Sequence, residues 1–174
     1  MHELTERELY HALEYAKSQD EDSGRHILTQ FELDQPLLFQ TLFGLLPSVI
    51  AEHNQELGQF FMDLCFEVIC VYQNAFGLTP KLADDPDWMA RQAILLAPEF
   101  QALLQCHTLP VDDRKALVAD FIKRNGTQRQ RRLIAFFNES IDEFASYNIS
   151  RVGAIATTQA VMLVVVSLFD GLYA

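Results

Sequence analysis

VGAIATTQAVMLVVVSLF, residues 152–169, is a run of eighteen residues without a charge in a chain whose formal net charge is −11. As a helix rising ~1.5 Å per residue it would span about 27 Å, slightly less than a hydrocarbon core of ~30 Å. Length alone therefore permits a short membrane anchor. Its place near the C-terminal end, with Arg151 just before it, fits a tail anchor on a cytoplasmic body. Content points the other way. Thr157, Thr158 and Gln159 are consecutive and cover about 200° of a helix, so an isolated span would turn at least one of them to lipid. Neither a Lys/Arg cluster nor a Trp belt flanks the run. In a bundle the same residues have a use: Gly153, Ala154, Ala156 and Ala160 admit neighbouring helices closely, while Met162, Leu163, Val165, Leu168 and Phe169 fill volume. A helix apolar on all sides must be surrounded. The reading carried forward is the central helix of a bundle. The alternatives are a helix partly covered by a second copy, giving a homodimer, and a membrane anchor.

Composition supports a packed chain. Hydrophobic residues make up 49% of the 174, including 13 Phe, against only 7 Gly and 6 Pro. A chain of this size buries about 70% of its unfolded surface in one domain, so residues 1–174 are read as a single domain. Acidic residues number 24 against 13 basic ones, a balance that repels phosphate backbones and anionic lipid surfaces. Nucleic acid and membrane are accordingly disfavoured as partners. Three cysteines, Cys65, Cys70 and Cys106, are too few for a disulfide framework and point to a reducing cytoplasm. The charged N-terminal stretch has no secretory signal pattern.

Apolar residues recur at spacings of three and four, without alternating runs, which predicts an all-α bundle of about seven or eight helices. Leu4, Leu9, Leu13 and Ala16 line one face of an N-terminal helix over 1–17, placed at the periphery. The acidic stretch 18–24 reads as a linker, with Gly24 allowing a turn, and a short helix follows over about 25–33. Pro36 opens the next helix, and Pro47 kinks or restarts it. A long helix over about 54–76 ends at Gly77 in a left-handed cap, and Asp85 caps the helix opened by Pro86. Thr127 and Gln130 form a capping box for a helix to about 147, and Ser150 caps the last.

Two groups of residues are candidate sites. Lys123, Arg124, Arg129, Arg131 and Arg132 place five of the 13 basic residues within ten positions. Arginine forks at a helix start can hold an anion or dock an acidic protein. The layout has the outline of a helix-turn-helix, but the acidic whole and a following helix of about 20 residues argue against DNA. The second group is carboxylate: Glu56, Asp63 and Glu67 on one helix face, with Glu139 and Glu143 on another helix. Such residues can hold two metal ions in a bundle, but the Glu-x-x-His steps that complete that arrangement are missing, and a solvated polar stripe explains them as well. Cys65 and Cys70 lie about 140° apart around a helix and cannot share an ion. The chain also lacks a nucleophile elbow, a phosphate-binding loop, a dinucleotide fingerprint and a His-Glu-x-x-His step. The expectation is thus a non-enzymatic helical protein, without a cofactor, that binds a protein or a small acidic ligand. A metal-binding bundle or enzyme using the carboxylates is the alternative, and a tail-anchored membrane protein the second.

Overall fold

The computed structural model describes residues 1–94 and 130–174, together with residues 112, 113, 116, 119 and 120. Among the described residues the structure is helical and has no strand. Helix α1 spans Glu6–Lys17 and opens on a capping box: the Thr5 hydroxyl oxygen accepts from the Glu8 amide at 3.3 Å, and Glu8 accepts from the Thr5 amide at 2.8 Å. Those bonds to the ionised carboxylate, led by the one from the Thr5 backbone, hold Glu8 down to about 2. Leu9, Ala12, Leu13 and Ala16 form the buried face of α1, and Leu4, just ahead of the helix, is buried with them.

Helix α2, Glu21–Asp34, begins inside the stretch expected to be a linker. Asp20 caps it, accepting from the Ser23 amide at 2.8 Å, and Glu21 and Asp22 lie at the positive end of its dipole. The acidic cluster thus starts a helix instead of solvating a loop. Gly24 sits within that helix, where a Cβ would meet the Phe66 ring at 3.6 Å.

Helix α3 runs Pro36–Ala51. Pro36 takes the first position, as expected, and the chain continues through Pro47 without stopping because a π turn, Thr41–Leu45, precedes it. The wider turn moves the carbonyl that the Pro47 ring would otherwise strike. Helix α4, Gln55–Phe76, is capped by Asn54, whose side chain accepts from the Leu57 amide at 2.9 Å. At Gly58, α3 and α4 approach so closely that a Cβ would lie 3.1 Å from the Pro47 carbonyl oxygen and 3.2 Å from Ala51 Cβ. Gly77 ends α4 with φ +98 and ψ −168. Its φ is positive, as a glycine permits, but the extended ψ is not that of the left-handed cap expected there. A short 3-10 turn, Leu82–Asp84, follows, and Asp85 closes that turn before helix resumes at residue 88.

Helix α5, Arg131–Ser146, starts after Gln130. The expected capping box falls partly outside the described residues, with Thr127, and Gln130 itself gives no cap bond. Its fully buried side chain reaches across the fold instead, accepting from the Leu4 amide at 2.9 Å and donating to the His2 carbonyl at 2.7 Å. A 3-10 segment, Ile149–Ala154, capped by Asn148 and not by Ser150, leads into helix α6, Ile155–Leu172.

Helix α6 is the packed centre of the bundle. Eleven of its eighteen residues are buried, from Thr157 to Phe169, and α3, α4 and α5 pack against it. Phe31 of α2 stacks on Phe169 with ring centroids 5.8 Å apart, and the buried Tyr72 of α4 donates its hydroxyl to Asp170 at 2.8 Å. The polar triplet is absorbed within the protein. Thr158 donates to the Ala154 carbonyl at 2.7 Å, and Gln159 donates to Asp142 of α5 at 2.9 Å. Ile149–Leu172 is the one helix among the described residues long and apolar enough to cross a membrane, and 67% of its apolar window is buried inside the protein. That enclosure is what the core helix of a bundle requires.

Candidate functional site

An open groove of about 590 Å³ lies where α2 crosses α4 near the α1–α2 junction. Its apolar floor comes from three helices: Leu28 of α2, Phe43 of α3, and Met62 and Phe66 of α4. These four side chains are half-buried, each offering apolar surface to whatever enters. Gly24 lowers the α2 wall, because with no side chain there the Phe66 ring is reachable from outside.

Carboxylates surround that floor. Asp63 and Glu67 lie one turn apart on α4, beside the Met62–Phe66 ladder, and Asp20 and Glu21 face them from the start of α2. Arg25 is the one basic residue lining the groove, and it is held by Glu21 at 2.8 Å. The lining therefore carries four carboxylates against a single, already paired guanidinium. Burial raises Asp63 above its ordinary value. Burial also raises Glu67; the Lys17 ammonium opposes that shift and Asp63 adds to it. Glu67 thus sits partly away from water while Asp63 stays on the exposed rim, and a cationic group entering the groove would be attracted by both.

The carboxylates expected to form a metal centre are only partly brought together. Asp63 and Glu67 share the groove, and Glu67 shares a smaller cavity with Glu143. Glu56, at the start of α4, binds Arg151 at 2.6 Å, and Glu139 is exposed. Among the described residues no three His, Cys, Asp or Glu side chains gather closely enough to hold a metal ion. Of the basic cluster, Lys123, Arg124 and Arg129 lie outside the described residues. Arg131 is exposed; Arg132 donates to the Leu4 carbonyl at 3.2 Å and lies 3.6 Å from Glu3, so it fastens the N-terminal segment. Cys65 and Cys70 are buried thiols, both raised by desolvation, with Cys70 at about 12, and burial at this level leaves them unreactive.

Sequence reasoning picked out Asp63 and Glu67 but not the groove. The available signal was the adjacency of two ladders on α4, Met62–Phe66 and Asp63–Glu67. An apolar ladder immediately beside an acidic one marks a boundary between floor and rim, but only the arrival of α2 turns that boundary into a concavity. Compared with known proteins, the chain matches no family model, and no curated protein and no solved structure is significantly similar to it.

Proposed function

We propose that this protein works by binding, without catalysis, and that the groove between α2 and α4 receives a cationic, amphipathic helical segment of another protein. One observation carries the reading: a four-residue apolar floor rimmed by four carboxylates and one paired arginine. A volume of about 590 Å³ lies within the ~300–1,000 Å³ range of sites that bury a ligand's apolar groups. Half-buried Met and Phe side chains supply adaptable anchor surface, and a helix laid in a groove uses such anchors at every third or fourth position. The acidic rim selects charge, since a Lys- or Arg-bearing partner gains from it and an acidic partner is repelled. This reverses the charge of the ligand expected from the arginine cluster, of which Arg132 already serves the fold. A cytoplasmic setting belongs to the same proposal and rests on the thiol state of Cys65 and Cys70.

The test is calorimetric titration with a synthetic Leu/Lys amphipathic helix and with its Leu/Glu counterpart. The basic peptide is expected to bind, and more weakly as salt rises. Reversing the rim with Asp63→Lys and Glu67→Lys is expected to lower its affinity by about tenfold or more, roughly 1.4 kcal/mol. Equal binding of both peptides, or unchanged affinity after charge reversal in a folded variant, would exclude the groove as the site.

A further inference from the structure

A second cavity of about 260 Å³ lies on the other side of Glu67, between the C-terminal end of α1, α4 and the second half of α5. Four aromatic residues line it: Phe60 from α4, and Phe136, Phe144 and Tyr147 from α5 and the turn after it. Phe60 and Phe144 are stacked with ring centroids 4.2 Å apart and planes within 6°. The Arg151 guanidinium lies 3.9 Å from the Phe144 centroid, which places it on the face that Phe60 does not cover. Both faces of Phe144 are therefore taken. Phe136 is different, because the group over its ring is the ammonium of Lys17 at 5.9 Å. That distance is close to the ~6 Å limit of an effective cation–π contact. Lys17 is exposed and forms no ion pair within 4 Å with either carboxylate of this cavity, Glu67 or Glu143.

We propose that this aromatic and acidic cavity is a binding site for a small organic cation of the quaternary ammonium type, and that Lys17 is a weak tethered occupant of it. The lining offers a ligand the Phe136 and Tyr147 rings and the Glu67 and Glu143 carboxylates, and its donors are few, since Ser140 already donates its hydroxyl to the Phe136 carbonyl at 3.0 Å and only the Lys17 ammonium and the Tyr147 hydroxyl are left. A ligand that is positive and needs no hydrogen-bond donor from the protein suits such a lining, and an anion does not. The volume falls below the ~300 Å³ at which pockets for drug-sized ligands begin, so the occupant is a headgroup and not a peptide. Lys17 is exposed, so displacing its ammonium into water gives up only a long-range contact with the ring and its attraction to Glu67.

The experiment uses tetramethylammonium chloride as probe, with sodium chloride at matched ionic strength as control, and reads the Phe136 ring resonances. Lys17→Ala is expected to tighten probe binding by about tenfold, and Glu143→Gln to weaken it by a similar factor. Both are surface changes, and an unchanged circular dichroism spectrum confirms the fold. Identical affinity in the parent and in Lys17→Ala would overturn the proposal, as would ring shifts reproduced by sodium chloride or undiminished in Glu143→Gln. Neither Lys17 nor Glu143 lines the larger groove, so failure here leaves the peptide-binding reading intact; Glu67 lines both cavities, and Asp63→Lys alone, which touches only the groove, tests that reading without altering this one.

Discussion

Gln130→Ala tests how the start of α5 is joined to the N-terminal segment. Gln130 is fully buried, and its side-chain amide spans from α5 to the N-terminal segment through the Leu4 amide at 2.9 Å and the His2 carbonyl at 2.7 Å. Truncation affects the two partners unequally. His2 is exposed, so water can replace the lost donor to its carbonyl. Leu4 is 1% exposed, and its amide would be left without an acceptor. A buried unsatisfied donor costs about 1–3 kcal/mol, and the void left by the side chain adds to this, for a total of roughly 2–4 kcal/mol. In a protein of this length that corresponds to a fall in Tm of about 4–16 °C. Gln130→Glu is the sharper variant. It keeps an acceptor for Leu4 but turns a second oxygen toward the His2 carbonyl, so it is destabilising when ionised. Burial raises the folded pKa of such a carboxyl above its unfolded value, so its stability is full at low pH and is lost as pH rises through the folded pKa. The assays are thermal unfolding against pH and hydrogen exchange at the Leu4 amide. If Gln130→Ala stays within about 0.5 kcal/mol of the parent and Leu4 exchange is unchanged, the tether contributes nothing and the reasoning fails.

Two other expectations follow from local geometry. Gly24→Ala is expected to stabilise by about 0.5–1 kcal/mol, because the helix gains propensity and the new Cβ meets the Phe66 ring at an ordinary 3.6 Å; Gly58→Ala, with contacts of 3.1 and 3.2 Å across the α3–α4 crossing, is expected to destabilise by about 1–3 kcal/mol. Urea denaturation of both variants checks the contrast, and equal signs would contradict it. Asp63 and Glu67 are raised by burial, so the unfolded chain gives up those protons first and stability declines as pH rises from the ordinary carboxylate range through their folded values. Asp63→Asn combined with Glu67→Gln is therefore expected to be more stable than the parent at neutral pH and to lose that advantage in acid. Glu8, held down to about 2 by its cap bonds, has the opposite sign: its contribution is present above the ordinary glutamate value and disappears as pH falls toward about 2. Glu8→Gln is expected to flatten that acid limb of the pH–stability curve.

The parts of the fold that were legible in the sequence are those set by periodicity and local chemistry. Leu9, Leu13 and Ala16 mark the inner face of α1, Pro36 opens α3, and α4 begins within one residue of its expected start and ends where expected. The Thr157-Thr158-Gln159 triplet distinguished a surrounded helix from a lipid-facing one, and the structure gives Thr158 a buried partner and Gln159 one on the neighbouring helix α5. What was missed depends on contacts between distant residues or on two local effects competing. Asp20 was equally suited to a solvated linker and to a cap, and the helix won because Ser23 offered its amide. Gln130 fits a capping box by spacing, yet a buried amide reaching residues more than 120 positions away satisfies it instead. The groove has the same origin: Met62, Asp63, Phe66 and Glu67 are visible on α4, but its opposite wall comes from α2.

The central claim is that the groove between α2 and α4 is where this protein meets a positively charged partner. Chemical-shift mapping of the labelled protein, titrated with the Leu/Lys peptide at low and at raised salt, tests it most directly. The account predicts shifts concentrated at Leu28, Phe43, Met62 and Phe66, with Asp63 and Glu67 following, and all of them diminishing as salt rises. Shifts centred on Arg131 and Arg132, or the same pattern produced by the acidic peptide, would contradict it.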